Sequence, residues 1–437
     1  MSDNHNGNDN APPPQDGSAS EEDQDETSQS RVMSLSATAP AAAGNNGLVL
    51  DWTNMNNNGD TPMPIRYPHD VAEIDPNETE LILVGTAGQK ITNMGPTLSQ
   101  EVNPHLKQLI LRSHLIRTME GLQNLTELEL LELYDNQIGA LACLNDGLDG
   151  APGRSLRVLD MSYNVIRDMT PVEHCPNLRE LYLANNKLKA LSGLKELRYL
   201  QKIDLGANRI RVMDPDQLAN LVELQELWLG KNKIEQIQGL EPLVKLRRLD
   251  VQSNRLTSVD NLTTQNETLE ELYLAHNGIT EQGASTPTGL AQSFPNLSVL
   301  DLSRNQLTRA PFGHLTSLDE LWLSGNQIAD FDALQQAISS LGQSLDTIYL
   351  EYNPIQQDPL YRKKLKQLLP SLSQIDANMI TGGSSLPVST TTTTTTPAIV
   401  QTMPASGETA EERARRLQEM AIERAKAESK GSKSTSE

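Results

Sequence analysis

The sequence predicts an α/β solenoid, a stack of short parallel strands backed by turns and set between two low-complexity tails. Three observations carry this. The pattern L-x-x-L-x-L-x-x-N-x-[IL] recurs eleven times, its leading leucine at Leu106, Leu128, Leu156, Leu178, Leu200, Leu224, Leu246, Leu269, Leu297, Leu318 and Leu345. The steps between copies are 22, 28, 22, 22, 24, 22, 23, 28, 21 and 27 residues, so a period of 22 persists through three insertions. Aromatic residues make up only 3% of the 437-residue chain, so leucine must build the core. Units of this period bury a continuous core by stacking on their neighbours.

Each unit can be read by itself. In L-R-E-L-Y-L (178–183), Leu181 and Leu183 are two apart and share one face of a strand, which is the core face. The asparagines Asn136, Asn164, Asn186, Asn208, Asn232, Asn254, Asn277, Asn305, Asn326 and Asn353 follow three residues after the last strand leucine. There the chain turns inward and exposes backbone groups that a buried amide can satisfy, so a ladder of stacked amides is expected. The first copy has His114 at this position, and a weaker turn is expected there rather than a metal ligand. Period and pattern together are those of a leucine-rich-repeat solenoid, with a parallel inner β-sheet and a convex side of short 3₁₀ turns and loops.

In chain order, residues 1–75 are an acidic leader rich in Asn, Pro, Gly and Ser, with an acidic cluster at 21–26. They lack the apolar mass that offsets ordering entropy, so disorder is expected. Residues 76–357 hold the repeats, with a weaker unit at 81–96 before the first full copy and insertions near 145–155, 281–289 and 335–344. Residues 358–380 are expected to cap the stack: Asp358-Pro359 suits a helix start, and Leu360, Leu365, Leu368, Leu369, Leu372 and Ile375 can close the core. Residues 381–437 pass from a threonine run ending at Thr396 to a charged segment at 408–430 with helical propensity.

Composition excludes several classes. The net charge of −21 opposes general binding to nucleic acid or anionic membranes. Two cysteines, Cys143 and Cys175, rule out a disulfide-dense module. The N-terminus, MSDNHNGNDN, has no apolar stretch of signal-peptide type, so a reduced intracellular protein is expected. No H-E-x-x-H, phosphate-loop lysine, G-x-S-x-G or C-x-x-C motif occurs, and neither an enzyme nor a metal or cofactor site is expected.

The residue between the last two strand leucines should face away from the core, onto the concave surface. In order these are Ile110, Glu132, Asp160, Tyr182, Asp204, Trp228, Asp250, Tyr273, Asp301, Trp322 and Tyr349. From the third copy, acid alternates with aromatic until Trp322 and Tyr349 come in succession. Aromatic residues dominate interface hot spots, and interleaved carboxylates suit a partly basic partner. Ala184, Gly206, Gly230, Ala275, Ser303 and Ser324, two positions further on, are small enough for a partner's backbone to approach. An arc of ten strand gaps spans about 50 Å and fits a folded domain rather than a small molecule.

The segments LYDNQI (133–138), LGKNKI (229–234), QSNRL (252–256) and HNGI (276–279), and above all YLEYNPIQQDPLYRKKLKQLLPSLSQIDA (349–377), resemble the leucine-rich-repeat regulatory subunits of protein phosphatase 1, the regulatory subunit 7 family. The likeness runs over roughly residues 75–380. It implies a non-catalytic protein that grips the phosphatase catalytic subunit with its concave face. The positions matching that family's binding residues are Asp160, Tyr182, Asp204, Trp228, Asp301, Glu320, Trp322 and Tyr349; Asp250 and Tyr273 extend the same row. The resemblance further implies a nuclear and cytoplasmic location, control of the phosphatase in mitosis or in its biogenesis, and a complex containing inhibitor 3. The competing expectation is a repeat scaffold for ribonucleoprotein or cytoskeletal assembly, disfavoured by the absence of a basic stripe on the concave row.

Overall fold

The computed structural model describes residues 79–380, apart from 86–89, 93, 95–104, 142–143 and 145–151. The acidic leader and the charged segment at 408–430 lie outside the described residues, as does most of the first insertion. Fourteen strands form one sheet in chain order: β1 (Glu80–Val84), β2 (Gln108–Arg112), β3 (Leu130–Glu132), β4 (Val158–Asp160), β5 (Glu180–Tyr182), β6 (Lys202–Asp204), β7 (Glu226–Trp228), β8 (Arg248–Asp250), β9 (Glu271–Tyr273), β10 (Val299–Asp301), β11 (Glu320–Trp322), β12 (Thr347–Tyr349), β13 (Gln374–Ile375) and β14 (Asn378–Met379). Every pairing is parallel except the last, where β14 folds back antiparallel on β13. β1 is the weaker first unit and pairs with β2 over five residues.

The leucines at the second and fourth strand positions, such as Leu181 and Leu183, are fully buried in one cluster that runs from Leu81 to Ile375. Burying each leucine contributes roughly 2 kcal/mol. The opposite side of the core is closed by turns and short 3₁₀ segments. Helices α1 (Pro215–Leu218), α2 (Glu281–Ala284), α3 (Phe331–Ile338) and α4 (Tyr361–Leu368) add to it, α2 in the second insertion and α3 leading into the third.

The amide ladder is present. Asn208 donates through Nδ2 to the carbonyls of Leu183 (2.9 Å) and Leu205 (3.0 Å) and accepts through Oδ1 from the amide of Leu188 (3.0 Å). One side chain thus ties its own strand end to the preceding repeat, and Asn136 to Asn353 repeat the bonding. The residue before each asparagine has positive φ; Ala207 stands at 52° and Gly325 at 70°. That left-handed step bends the chain inward, and it is costly for residues with a Cβ, so the ladder must hold it.

The two ends of the ladder use different chemistry. His114, buried, accepts through Nδ1 from the amide of Ile91 (3.1 Å), which leaves Nε2 to donate to the carbonyl of Leu83 (3.2 Å). The neutral imidazole therefore reproduces an asparagine's acceptor and donor, in place of the weaker turn expected. At the far end Asp376 accepts from the amides of Leu350 (2.8 Å) and Glu351 (3.0 Å) and from the Tyr361 hydroxyl. The cap departs from its expected start: α4 begins at Tyr361, because Asp358 closes a turn onto the amide of Leu360 (2.8 Å) and pairs with Lys364 (2.6 Å).

Candidate functional site

The outward row survives as a physical row. Pairing aligns Asp160, Tyr182, Asp204, Trp228, Asp250, Tyr273, Asp301, Trp322 and Tyr349 side by side across nine adjacent strands. Glu320 lies in the parallel row two residues earlier, in register with Glu271's neighbour Val299 and with Thr347.

The aromatic residues are half-buried; four of them are anchored by a glutamate two residues before, while the Tyr349 hydroxyl accepts from Gln374 at 2.7 Å. Tyr182 donates to Glu180 (2.6 Å), Trp228 to Glu226 (3.3 Å), Tyr273 to Glu271 (2.7 Å) and Trp322 to Glu320 (2.9 Å). Glu180, Glu226 and Glu271 were not anticipated, although the repeated E-L-Y and E-L-W spacing carries the signal. Across strands the rings also meet. Trp228 and Tyr273 are two strands apart, a backbone separation of about 9.6 Å. Their centroids are nevertheless 6.4 Å apart and nearly parallel, so the rings lean together over Asp250. Arg248 sits 5.2 Å from the Trp228 ring centre. Trp322 and Tyr349, on adjacent strands, meet edge to face at 5.1 Å.

The aspartates overturn an expectation. They were expected to lie open beside the rings; instead Asp160, Asp204, Asp250 and Asp301 are buried, Asp301 to 0% exposure. Each accepts through Oδ1 from the amide two residues on: Ser162 (2.8 Å), Gly206 (3.0 Å), Gln252 (2.9 Å) and Ser303 (2.9 Å). Two of the small residues, Gly206 and Gly230, leave room for the carboxylates of Asp204 and Asp250. A Cβ at Gly230 would lie 3.1 Å from Asp250 Oδ1. Burial pushes the Asp301 carboxyl up to about 6, against the Ser303 bonds that favour its ionised form, and Oδ2 has no hydrogen-bond partner among the described residues. Burial also raises the Asp160 carboxyl, with Glu132 on the next strand adding to the shift. Glu132 itself is paired with Arg112.

Family models confirm the repeats. One described as "Leucine rich repeat" matches residues 198–256, a two-copy model matches 154–196 and 295–336, and a further single-repeat model matches 265–286. A leucine-rich-repeat protein of Leptospira interrogans superposes with a TM-score of 0.59 at 25% identity, covering 68% of this chain and 72% of that one. The fold is a leucine-rich-repeat solenoid. In sequence the chain is related to curated phosphatase regulators. It is 34% identical over 146 residues to the "Protein phosphatase 1 regulatory inhibitor subunit PPP1R7 homolog" of Arabidopsis thaliana, covering 33% of this chain and 43% of that protein. It is 41% identical over 68 residues to "Protein phosphatase 1 regulatory subunit SDS22" of Schizosaccharomyces pombe, covering 15% of this chain and 20% of that protein. In either match the aligned part of the chain spans less than half the length of the relative.

Proposed function

We propose that this chain is a non-catalytic regulatory or assembly subunit that binds the catalytic subunit of protein phosphatase 1 through the strand face of its solenoid. The observation that carries the reading is the row from β5 to β12, in which four glutamate-anchored rings alternate with buried aspartates and Tyr349 follows Trp322, on a protein related to that phosphatase's regulators. Seven strand gaps span about 34 Å, the scale of a folded domain. Half-buried rings held in place lose little entropy when a partner covers them, which suits hot spots.

In this reading Tyr182, Trp228, Tyr273, Trp322 and Tyr349 supply the contact area. Glu320 offers the partner a charge, and Asp160, Asp204, Asp250 and Asp301 hold the row's backbone in shape beneath the rings. Asp301 is fully buried, so it acts on the partner only through the backbone it shapes. The likeness of segment 349–377 to the regulatory subunit 7 family supports extending the proposal to nuclear and cytoplasmic action on the phosphatase in mitosis or biogenesis, and to a complex that includes inhibitor 3.

The test is titration of the full chain with purified protein phosphatase 1 catalytic subunit. Saturable one-to-one binding that the Trp322→Ala and Tyr349→Ala double variant abolishes is the expected result. Absence of binding, or binding indifferent to that double variant, would overturn the proposal. The purified chain alone is expected to hydrolyse no phosphoester.

A further inference from the structure

A second surface lies at the rim where the strands begin. The residues just before β2, β3, β4 and β5 are Lys107, Glu129, Arg157 and Arg179, and each backbone amide bonds the preceding carbonyl at 2.8 Å, so they stand in one row. All four are exposed. With Arg154, Glu127 and Tyr199 they line a groove of about 490 Å³.

Charge in this groove is unbalanced. Elsewhere on the same rim, cations are spent on neighbouring carboxylates: Lys245 on Glu223 and Arg247 on Glu270, both at 2.7 Å. In the groove Arg157 pairs with Glu129 at 3.6 Å, and Glu127 is taken by His105 at 2.7 Å. Lys107, Arg154 and Arg179 form no ion pair among the described residues, whereas both carboxylates are engaged. A chain of net charge −21 thus keeps a local excess of unpaired cations in one groove. Tyr199 adds an aromatic wall that is 56% exposed.

From this placement we infer that the groove docks an extended acidic peptide segment of a protein partner. From Lys107 to Arg179 the row crosses three strand gaps, about 14 Å, the reach of roughly four residues of extended chain. That spread is too long for one phosphate ion and matches successive acidic side chains. Arginines accept either carboxylate or phosphate in paired hydrogen bonds, so glutamates and phosphoserines share the required chemistry. Nucleic acid shares the charge, but a long polyanion extends past the groove onto the surface of a chain of net charge −21, whereas a segment of about four residues stays within it.

Fluorescence anisotropy on the full chain tests the inference with a labelled glutamate-rich peptide, its glutamine counterpart, a phosphoserine-bearing version and an RNA oligonucleotide of equal charge. The glutamate peptide should bind and the glutamine peptide should not. The Arg154→Glu, Arg179→Glu double variant should weaken binding by about tenfold or more. The Lys245→Glu, Arg247→Glu double variant, on the same rim but already paired, should leave it unchanged. Arg179→Gln, a milder change, should show the same direction if the charge reversal perturbs folding. Tighter binding of the phosphoserine peptide would make phosphate the preferred anion, and tighter binding of the glutamate peptide would make it carboxylate; either supports the groove. Equal losses in the two double variants, no peptide binding, or tighter RNA binding that depends on Arg179 would overturn it.

Discussion

Strands β6 and β8 place Lys202 and Arg248 between the glutamates of their neighbours, whereas β10 and β12 place Val299 and Thr347 at the same positions. In the first region the charges close on one another: Lys202 pairs with Glu226 at 3.0 Å, and Arg248 reaches Glu226 at 3.9 Å and bonds Glu271. In the second, Glu320 holds the Trp322 indole but has no ion pair among the described residues, and Asp301 keeps an oxygen without a hydrogen bond. Two stretches of the same repeat therefore differ in one column. The central stretch is finished by itself, and the C-terminal stretch is left in need of a cation. A basic partner gains most at the second, where no internal pair must first be broken.

The largest effect expected from this contrast is on the rings. Trp322→Ala should weaken binding of protein phosphatase 1 catalytic subunit by roughly 30- to 1000-fold, while Trp228→Ala costs at most about tenfold, both measured by calorimetry. The thermal midpoint of Trp322→Ala should stay near that of the parent, because the ring lies outside the leucine core.

A second change converts one region into the other. Val299→Arg would place a cation between Glu271 and Glu320, as Arg248 stands between Glu226 and Glu271. Binding should fall by about tenfold, and its dependence on salt should flatten. Unchanged affinity and salt slope would remove the electrostatic half of the contrast. The reverse change, Arg248→Val, strips the central region of two ion pairs and of the cation over Trp228. It should lower stability in urea unfolding by about 1 kcal/mol, since these groups are only partly buried.

The smallest effect is on pH, and it has opposite signs at the two ends. His114 is neutral in the fold, and burial, helped by Lys90, holds its pKa below the usual 6.5. The unfolded chain takes that proton first, so the stability of the N-terminal repeat is full above about 6.5 and falls as the pH drops below it. Burial raises Asp301 to about 6 from 3.8, so the fold takes that proton first. Its contribution is full below 3.8 and is lost as the pH rises through about 6. Hydrogen exchange corrected for intrinsic rates should show β1 and β2 loosening as the pH falls from 7 toward 6, with β10 and β11 firming. Asp301→Asn should remove the second trend alone.

Much of the fold could be read from the chain because each repeat restates the same instruction. Leu181, Leu183 and Asn186 sit where the 22-residue pattern places them. The row from Asp160 to Tyr349 could likewise be read, since side chains alternate along a strand. What escaped was contact between strands. Nothing in the spacing of Trp228, Asp250 and Tyr273 says that two rings close over the acid between them, so an outward position was equated with an open one. The glutamate anchors could have been read from E-L-Y and E-L-W. The part His114 plays depends on which backbone groups meet its two nitrogens, which only the folded turn supplies.

Hydroxyl-radical footprinting of the full chain, alone and with protein phosphatase 1 catalytic subunit, tests the central claim most directly. Trp228, Tyr273, Trp322 and Tyr349 are all half-buried, so the free protein supplies a common baseline. The account predicts that the partner suppresses oxidation across the row, most strongly at Trp322 and Tyr349. Unchanged oxidation of Trp322 and Tyr349 in a saturated complex would contradict it.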